Sequence, residues 1–313
     1  MNDSESNPIV TNFVHSGWWR RWGEETFSAY AFLLPSILIF IVFTFFPVIF
    51  SFISSFLRWN LPYKAVAAGF DNYVDLVSGP VTSQVFWKSV WNTFYFMLGI
   101  PINMILALIL ALLLNRKLPG VALFRTAFFL PTITSMAAIS VVWIWLYHPS
   151  DYGLFNSLLM EVGLPVQRWL RDPVLAMPCL ILMGVWHGIG YNIIIFLAGL
   201  QAIPRELYEV AEIDGAGTTA KFFYVTWPQL SPTTFYILVI GVINSLQAFT
   251  EIDVMTQGGP LNVTTTLAYY LYQEAFKYFR IGMGSAVAVI LFFILLILTL
   301  LQFKVLEKKV YYE

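Results

Sequence analysis

The sequence predicts an all-α integral membrane protein, a six-transmembrane-helix bundle with both termini cytoplasmic. Three observations carry that prediction. Of 313 residues, 58% are hydrophobic and only 11% are charged, and the mean hydropathy is +0.72. A soluble domain runs at about 45–50% apolar and about 25% charged. Six runs reach the roughly 20 apolar residues that a spanning helix needs, and none of them holds Asp, Glu, Lys or Arg. Basic residues gather on the side of the runs that this topology makes cytoplasmic.

In chain order, residues 1–29 form a polar N-terminal segment. Arg20 and Arg21 beside Trp18, Trp19 and Trp22 read as a basic, aromatic membrane flank. The first apolar run is too long for the h-region of a secretory signal, about 7–15 residues. The membrane region covers residues 30–303. Its spans are approximately Tyr30–Leu57, Ser89–Asn115, Thr126–Tyr147, Val174–Leu200, Ser231–Thr250 and Ile281–Phe303. Pro35, Pro47, Pro101, Pro131 and Pro178 fall inside them. Neighbouring helices re-satisfy the carbonyls that a proline frees, so kinks are expected there and not breaks. Six spans put both ends on one side. The short second loop, with Arg116, Lys117 and Arg125, assigns that side to the cytoplasm, and Lys304, Lys308 and Lys309 in the tail, 304–313, agree. Three outer loops follow, marked by Pro62, Gly69 and Asp71-Asn72-Tyr73, by Pro149, Gly153 and Pro165, and by Gly258-Gly259-Pro260.

Several chemistries are excluded. A net charge of −1 gives no field to steer nucleic acid. Cys179 is the one cysteine, so there is no disulfide framework and no cysteine metal cluster. His15, His148 and His187 make no metal-binding pattern. Neither a GxxxxGK[ST] phosphate loop nor a GxSxG elbow is present. Energy for active transport must therefore come from another subunit or from an ion gradient.

One inner loop, about residues 204–228, is too polar to span and too apolar for a linker. Pro204 suits the first position of a helix, and Glu206 and Glu209 complement its N-terminal dipole. Leu207, Val210 and Ala211 share one face. Gly215 and Gly217 supply a stop and a turn, and Thr218 caps a second short helix carrying Phe222 and Phe223. The expected object is a helix–turn–helix across the cytoplasmic ends of the bundle. Glu206, Glu209, Glu212 and Asp214 make an acidic face that anionic lipid headgroups repel and that a basic protein groove accepts.

This loop resembles the EAA motif of permease subunits of ABC importers: Glu-Ala-Ala, three residues, Gly, nine residues, Ile, one residue, Leu, Pro. Here it reads Glu209-Val210-Ala211, Gly215, then Val225-Thr226-Trp227-Pro228, with every spacing kept and three apolar replacements. Ile213-Asp214-Gly215-Ala216-Gly217 resembles the carbohydrate branch. So do Gly69-Phe70-Asp71-Asn72-Tyr73, Asn92-Thr93, Phe124-Arg125-Thr126 with Leu130-Pro131, and Gly258-Gly259-Pro260 with Tyr272-Gln273-Glu274-Ala275-Phe276. That last stretch is similar to the maltose-type and glycerol-3-phosphate-type first permease subunit.

The resemblance implies a bacterial cytoplasmic (inner) membrane importer of two permease chains and two ATPase subunits, fed by an extracytoplasmic solute-binding protein. It makes the loop a cytoplasmic coupling helix seated in an ATPase cleft, through Glu206, Glu209, Ala211, Asp214, Gly215, Ala216, Gly217 and Pro228. No cofactor belongs to this chain; ATP and Mg sit in the partner ATPase subunits.

The solute path must be polar at membrane depth. Asn244, Gln247 and Glu251 recur at i, i+3 and i+7 on the fifth span. On the fourth, His187 and Tyr191 are four apart, with Trp186 and Asn192 beside them. Amides and aromatic faces suit sugar recognition, although interhelical hydrogen bonding accounts for such residues too. Gly184-x3-Gly188 and Gly241-x3-Ser245 match small-xxx-small packing, within the bundle or against the second permease. A phosphate solute would call for Arg or Lys, which the spans lack, so a neutral sugar is favoured over glycerol 3-phosphate or another non-sugar. An ion-coupled secondary transporter would show buried carboxylates and an inverted repeat. A membrane enzyme would need an acid–base cluster, and a scaffold has no need of the Glu209–Pro228 spacing.

Overall fold

Helix dominates each of the six apolar runs in the computed structural model, which describes residues 18–116 and 119–306. His15, Lys117, Lys308 and Lys309 lie outside the described residues, as do residues 1–17 of the N-terminal segment and all of the tail beyond Leu306. The chain divides into two units, Met1–Ile53 and Ser54–Glu313.

The described residues of the first unit are helical. α1 (Trp18–Phe40) runs through a π-helical turn, Ile41–Phe45, into α2 (Phe46–Ser54). The turn precedes Pro47, which has no N–H to give to the helix, and the Phe46 N–H reaches back five residues to Ile41. Its apolar side chains are exposed along the whole length from Tyr30 to Phe52, as a lipid-facing helix requires.

In the second unit, β1 (Leu57–Arg58) pairs antiparallel with β2 (Val66–Ala67), and α3 (Asp71–Ser78) follows. Asn72 Nδ2 pins that helix to the carbonyls of Ser55 and Leu57, at 2.8 and 2.9 Å. α4 (Thr82–Phe96) and α5 (Gly99–Leu114) join into one spanning helix. α6 (Val121–Ile133) and α7 (Met136–Leu146) form the third run, and α8 (Leu154–Glu161) lies in the loop between the third and fourth runs. α9 (Ala176–Ala202) is the fourth run. α10 (Arg205–Ile213) and α11 (Thr218–Lys221) build the inner loop; a π-turn, Phe222–Thr226, leads through α12 (Trp227–Gln229) to α13 (Ser231–Leu246). α14 (Thr250–Met255), α15 (Leu267–Tyr272) and α16 (Ile281–Leu306) complete the chain.

Among the described residues, four helices are long and apolar enough to cross a membrane alone: Ala29–Ser54, Thr82–Leu114, Ala176–Ala202 and Ile281–Val305. The other two expected spans are bent pairs. α6 and α7 meet at 101°, and α10's successor segment Thr218–Gln229 meets α13 at 60°. The expectation of kinks without breaks fails at Pro131. α6 ends two residues after it, and Thr134 and Ser135 are extended, with ψ of 143° and 129°. The fifth run also stops early, at Leu246: Gln247 (φ −99°, ψ 9°) leaves helical geometry, and Phe249 (φ −136°, ψ −56°) turns the chain into α14.

α9 is the central element. Its N-terminal half packs with Trp143, Tyr147, Ile252 and Tyr269, and its C-terminal half with Ala107, Leu108, Ala111, Leu114 and Leu230. The tightest approach is at Gly190, where an added Cβ would lie 2.1 Å from the Phe128 carbonyl oxygen. Gly184, Gly188, Gly241 and Ser245 all line one cavity of this chain, and at Gly241 an added Cβ would lie 3.0 Å from Ile100 Cγ2.

Candidate functional site

The inner loop is an exposed amphipathic hairpin of helices. Pro204 (φ −58°, ψ 136°) caps α10 from outside, one position earlier than the sequence pattern places it. Leu207 and Tyr208 pack onto the inner core cluster, and the Tyr208 hydroxyl lies 2.9 Å from Thr226 Oγ1. Ala211 is half-buried on the same side. Val210 is exposed, so the buried stripe is Leu207, Tyr208 and Ala211. The bulky Tyr208 takes the inward place that the i, i+3, i+4 pattern gave to Val210.

Glu206, Glu209 and Asp214 are exposed, and Ile213 on the same surface is 85% exposed. Glu212 is paired with Lys221 at 2.5 Å, which ties α10 to α11 across the turn. Gly215 sits at φ +77°, a left-handed conformation that glycine adopts freely, and nothing lies within 4 Å of where its Cβ would be. Ala216 is half-buried and Gly217 is extended. Gly217, and not Thr218, occupies the cap of α11, and no side chain bonds there. Pro228 opens α12 behind the π-turn, so the Glu209–Pro228 motif spans one continuous structural unit.

The second feature is a cavity of about 580 Å³ between α5, α9, α13, α14 and the α6–α7 break. Six of the seven predicted path residues line it: His187, Tyr191, Asn192, Asn244, Gln247 and Glu251. Trp186 does not. It turns to the other side of α9 and packs on Trp143, with ring centroids 5.5 Å apart.

The polar groups on the wall divide by whether the protein already uses them. Asn192 Nδ2 donates to Asn103 Oδ1 at 2.7 Å, and Asn103 Nδ2 donates to the Val185 carbonyl at 2.9 Å. Tyr191 and Tyr236 hydroxyls are 3.1 Å apart. His187 Nε2 lies 3.3 Å from the Thr134 carbonyl, and Thr132 Oγ1 donates to the His187 carbonyl at 2.8 Å. The side chains of Asn244 and Gln247 are exposed to the cavity, and neither amide has a side-chain hydrogen bond among the described residues. Unpaired amides in a concave, mostly apolar wall are the groups that orient a hydroxylated ligand.

Asn103 and Thr132 also line the cavity, and sequence reading passed over both. Asn103 had a signal: it is the one amide in the run Gly99–Leu114. Thr132 gave none, because its position depends on the break at Thr134–Ser135.

Residues 88–311 match the family described as "Binding-protein-dependent transport system inner membrane component". The chain belongs to this family. An arabinooligosaccharides transport system permease protein, AraP of Bacillus subtilis (strain 168), is 35% identical, over 95% of this chain and 96% of its own. The sn-glycerol-3-phosphate transport system permease protein UgpA of Escherichia coli (strain UTI89 / UPEC) is 33% identical, over 80% of this chain and 84% of its own. Among solved structures, a chain of a bacterial alginate ABC transporter in complex with an alginate pentasaccharide-bound periplasmic protein superposes with a TM-score of 0.78. It is 25% identical, over 91% of this chain and 95% of its own. The chain is thus a permease of an ABC importer and an inner-membrane component, which leaves no place for the ion-coupled reading.

Proposed function

We propose that this chain forms half of the translocation pathway of an importer for a neutral sugar or sugar-like solute. The observation that carries the reading is the family match, because its span contains both the exposed inner loop and the cavity. Similarity to the arabinooligosaccharide and alginate systems supports a saccharide. The similarity to UgpA supports glycerol 3-phosphate as the second reading, but among the described residues the cavity wall has neither Lys nor Arg to meet a phosphate.

In this reading both termini are cytoplasmic, and α10 is the coupling helix. Glu206, Glu209 and Asp214 face a basic cleft of a separate ATPase subunit, which binds ATP and Mg. Gly215 and Gly217 let the chain reverse behind the contact, and the Lys221–Glu212 pair and Pro228 keep the unit stiff enough to transmit a push. A second permease and a second ATPase complete the transporter, and an extracytoplasmic binding protein delivers the solute. Asn244 and Gln247 bind it on the way through, while His187, Tyr191 and Asn192 shape the wall.

Gentle-detergent affinity purification of the tagged chain tests the assembly. Recovery of a second permease and an ATPase, with ATP hydrolysis, is the expected result. Recovery of the intact chain alone, with no ATPase, contradicts it.

A further inference from the structure

We propose that Glu251 is the charge-selectivity residue of the cavity, admitting neutral hydroxyl-rich saccharides and excluding anionic ones such as uronates and phosphate esters. The proposal rests on the reading of this cavity as the solute path.

Glu251 is 7% exposed, and what remains open of it faces the cavity. Among the described residues no side chain is hydrogen-bonded or ion-paired to its carboxyl, while it lines the cavity. Two other acidic residues of the same stretch of chain are paired. Asp253, two residues on, lies 3.8 Å from Lys277 Nζ, and Glu274 lies 2.7 Å from Arg280 Nη2. Nothing comparable reaches Glu251. No Lys or Arg lines the cavity among the described residues, and His187 is directed to the Thr134 carbonyl.

A buried carboxyl without a partner is costly. In a folded protein such a group calls for an explanation, and a ligand in the cavity that it lines would supply the missing hydrogen bonds. A carboxylate accepts from two hydroxyl groups, and a carboxylic acid donates once and still accepts. Either form therefore matches a sugar ring, together with the free amides of Asn244 and Gln247. Neither form offers a positive charge to an anion, and the ionised form repels it in a low-dielectric cavity. Discrimination then comes from the repulsive element as much as from the attractive one.

The test uses the complete complex in nanodiscs without its binding protein, so that selectivity belongs to the membrane part. An equimolar mixture of arabinotriose, maltotriose and trigalacturonic acid is added, and native mass spectrometry identifies what stays bound. Wild type is expected to retain the neutral trisaccharides over trigalacturonate by about tenfold or more. Glu251→Gln, which keeps the shape, is expected to raise trigalacturonate retention several-fold, and Glu251→Arg to invert the preference. Equal retention of trigalacturonate by wild type overturns the proposal, as does a ratio that both variants leave unchanged in an intact complex. If no trisaccharide is retained by wild type or variants, the reading of the cavity as the solute path falls, and this proposal falls with it.

Discussion

His187 Nε2 lies 3.3 Å from the carbonyl oxygen of Thr134, at the point where the third apolar run breaks by 101°. The contact is reciprocal, because Thr132 Oγ1 donates to the His187 carbonyl. A break inside an apolar layer exposes carbonyls that lipid cannot satisfy, and it is tolerated only where protein or a water-filled cavity takes them up. His187 does so in the tautomer that donates from Nε2. The imidazole thus holds the α6–α7 corner against α9, and that corner closes one side of the cavity.

His187→Leu leaves the Thr134 carbonyl without its donor. It is expected to cost about 1 kcal/mol, seen as a lower melting temperature of the purified complex. His187→Gln, whose amide N–H can reach the same oxygen, is expected to regain part of that loss. Equal melting temperatures for wild type and the Leu variant contradict the assignment.

Gly190 tests the packing of α9 on α6. A Cβ there would meet the Phe128 carbonyl oxygen at 2.1 Å, whereas at Gly184 the nearest atom is Phe96 Cζ at 3.7 Å. Overpacking that moves backbone costs about 1–3 kcal/mol or more. Gly190→Val is therefore expected to lose monodisperse protein in size-exclusion chromatography, while Gly184→Ala elutes as wild type.

At Gly215 the surroundings are open and the constraint is the backbone alone. A non-glycine residue at φ +77° costs about 1–2 kcal/mol in a left-handed conformation. Gly215→Asp adds a charge to a surface that is already acidic. The variant is expected to insert at normal level yet lose uptake, through loss of the ATPase in pull-down or through hydrolysis without transport. Normal uptake removes α10 from the coupling role.

Glu274 is 1% exposed and its charge is met by Arg280. Burial raises its carboxyl above the ordinary range and the guanidinium opposes that rise. Removing one partner of a buried pair is strongly destabilising. Arg280 is partly solvated, so Arg280→Met is expected to cost about 2–3 kcal/mol at neutral pH. A carboxyl whose pKa is higher folded than unfolded binds its proton more tightly in the fold. Stability is then lost as pH rises from the unfolded value through the folded one. The Arg280→Met defect should accordingly shrink as the assay is acidified towards that window, and a pH-independent defect contradicts the pairing.

The long apolar helices were legible because a run of about 20 apolar residues free of charge satisfies its own backbone in lipid as a helix. Where the helices stop was less so. Pro131 gave the region of the break, but Thr134 and Ser135, which turn the chain, carry no composition signal. In the inner loop the motif located α10, yet spacing alone chose Val210 for the buried face, and the larger Tyr208 took that side. The cavity was read from α9 and α13, where Asn244 and Gln247 sit at helical spacing. Glu251 reaches the same wall from a separate helix, and Asn103 arrives from α5. Trp186 is adjacent to His187 in sequence and therefore points about 100° away around the helix.

The most direct test of the account is uptake of labelled arabinotriose into proteoliposomes holding the complete complex, with its binding protein outside and ATP inside. The account predicts accumulation that requires ATP and the binding protein, and that drops in Asn244→Leu/Gln247→Leu complexes of unchanged melting temperature. Accumulation that proceeds without ATP, or uptake untouched by both cavity substitutions, would contradict it.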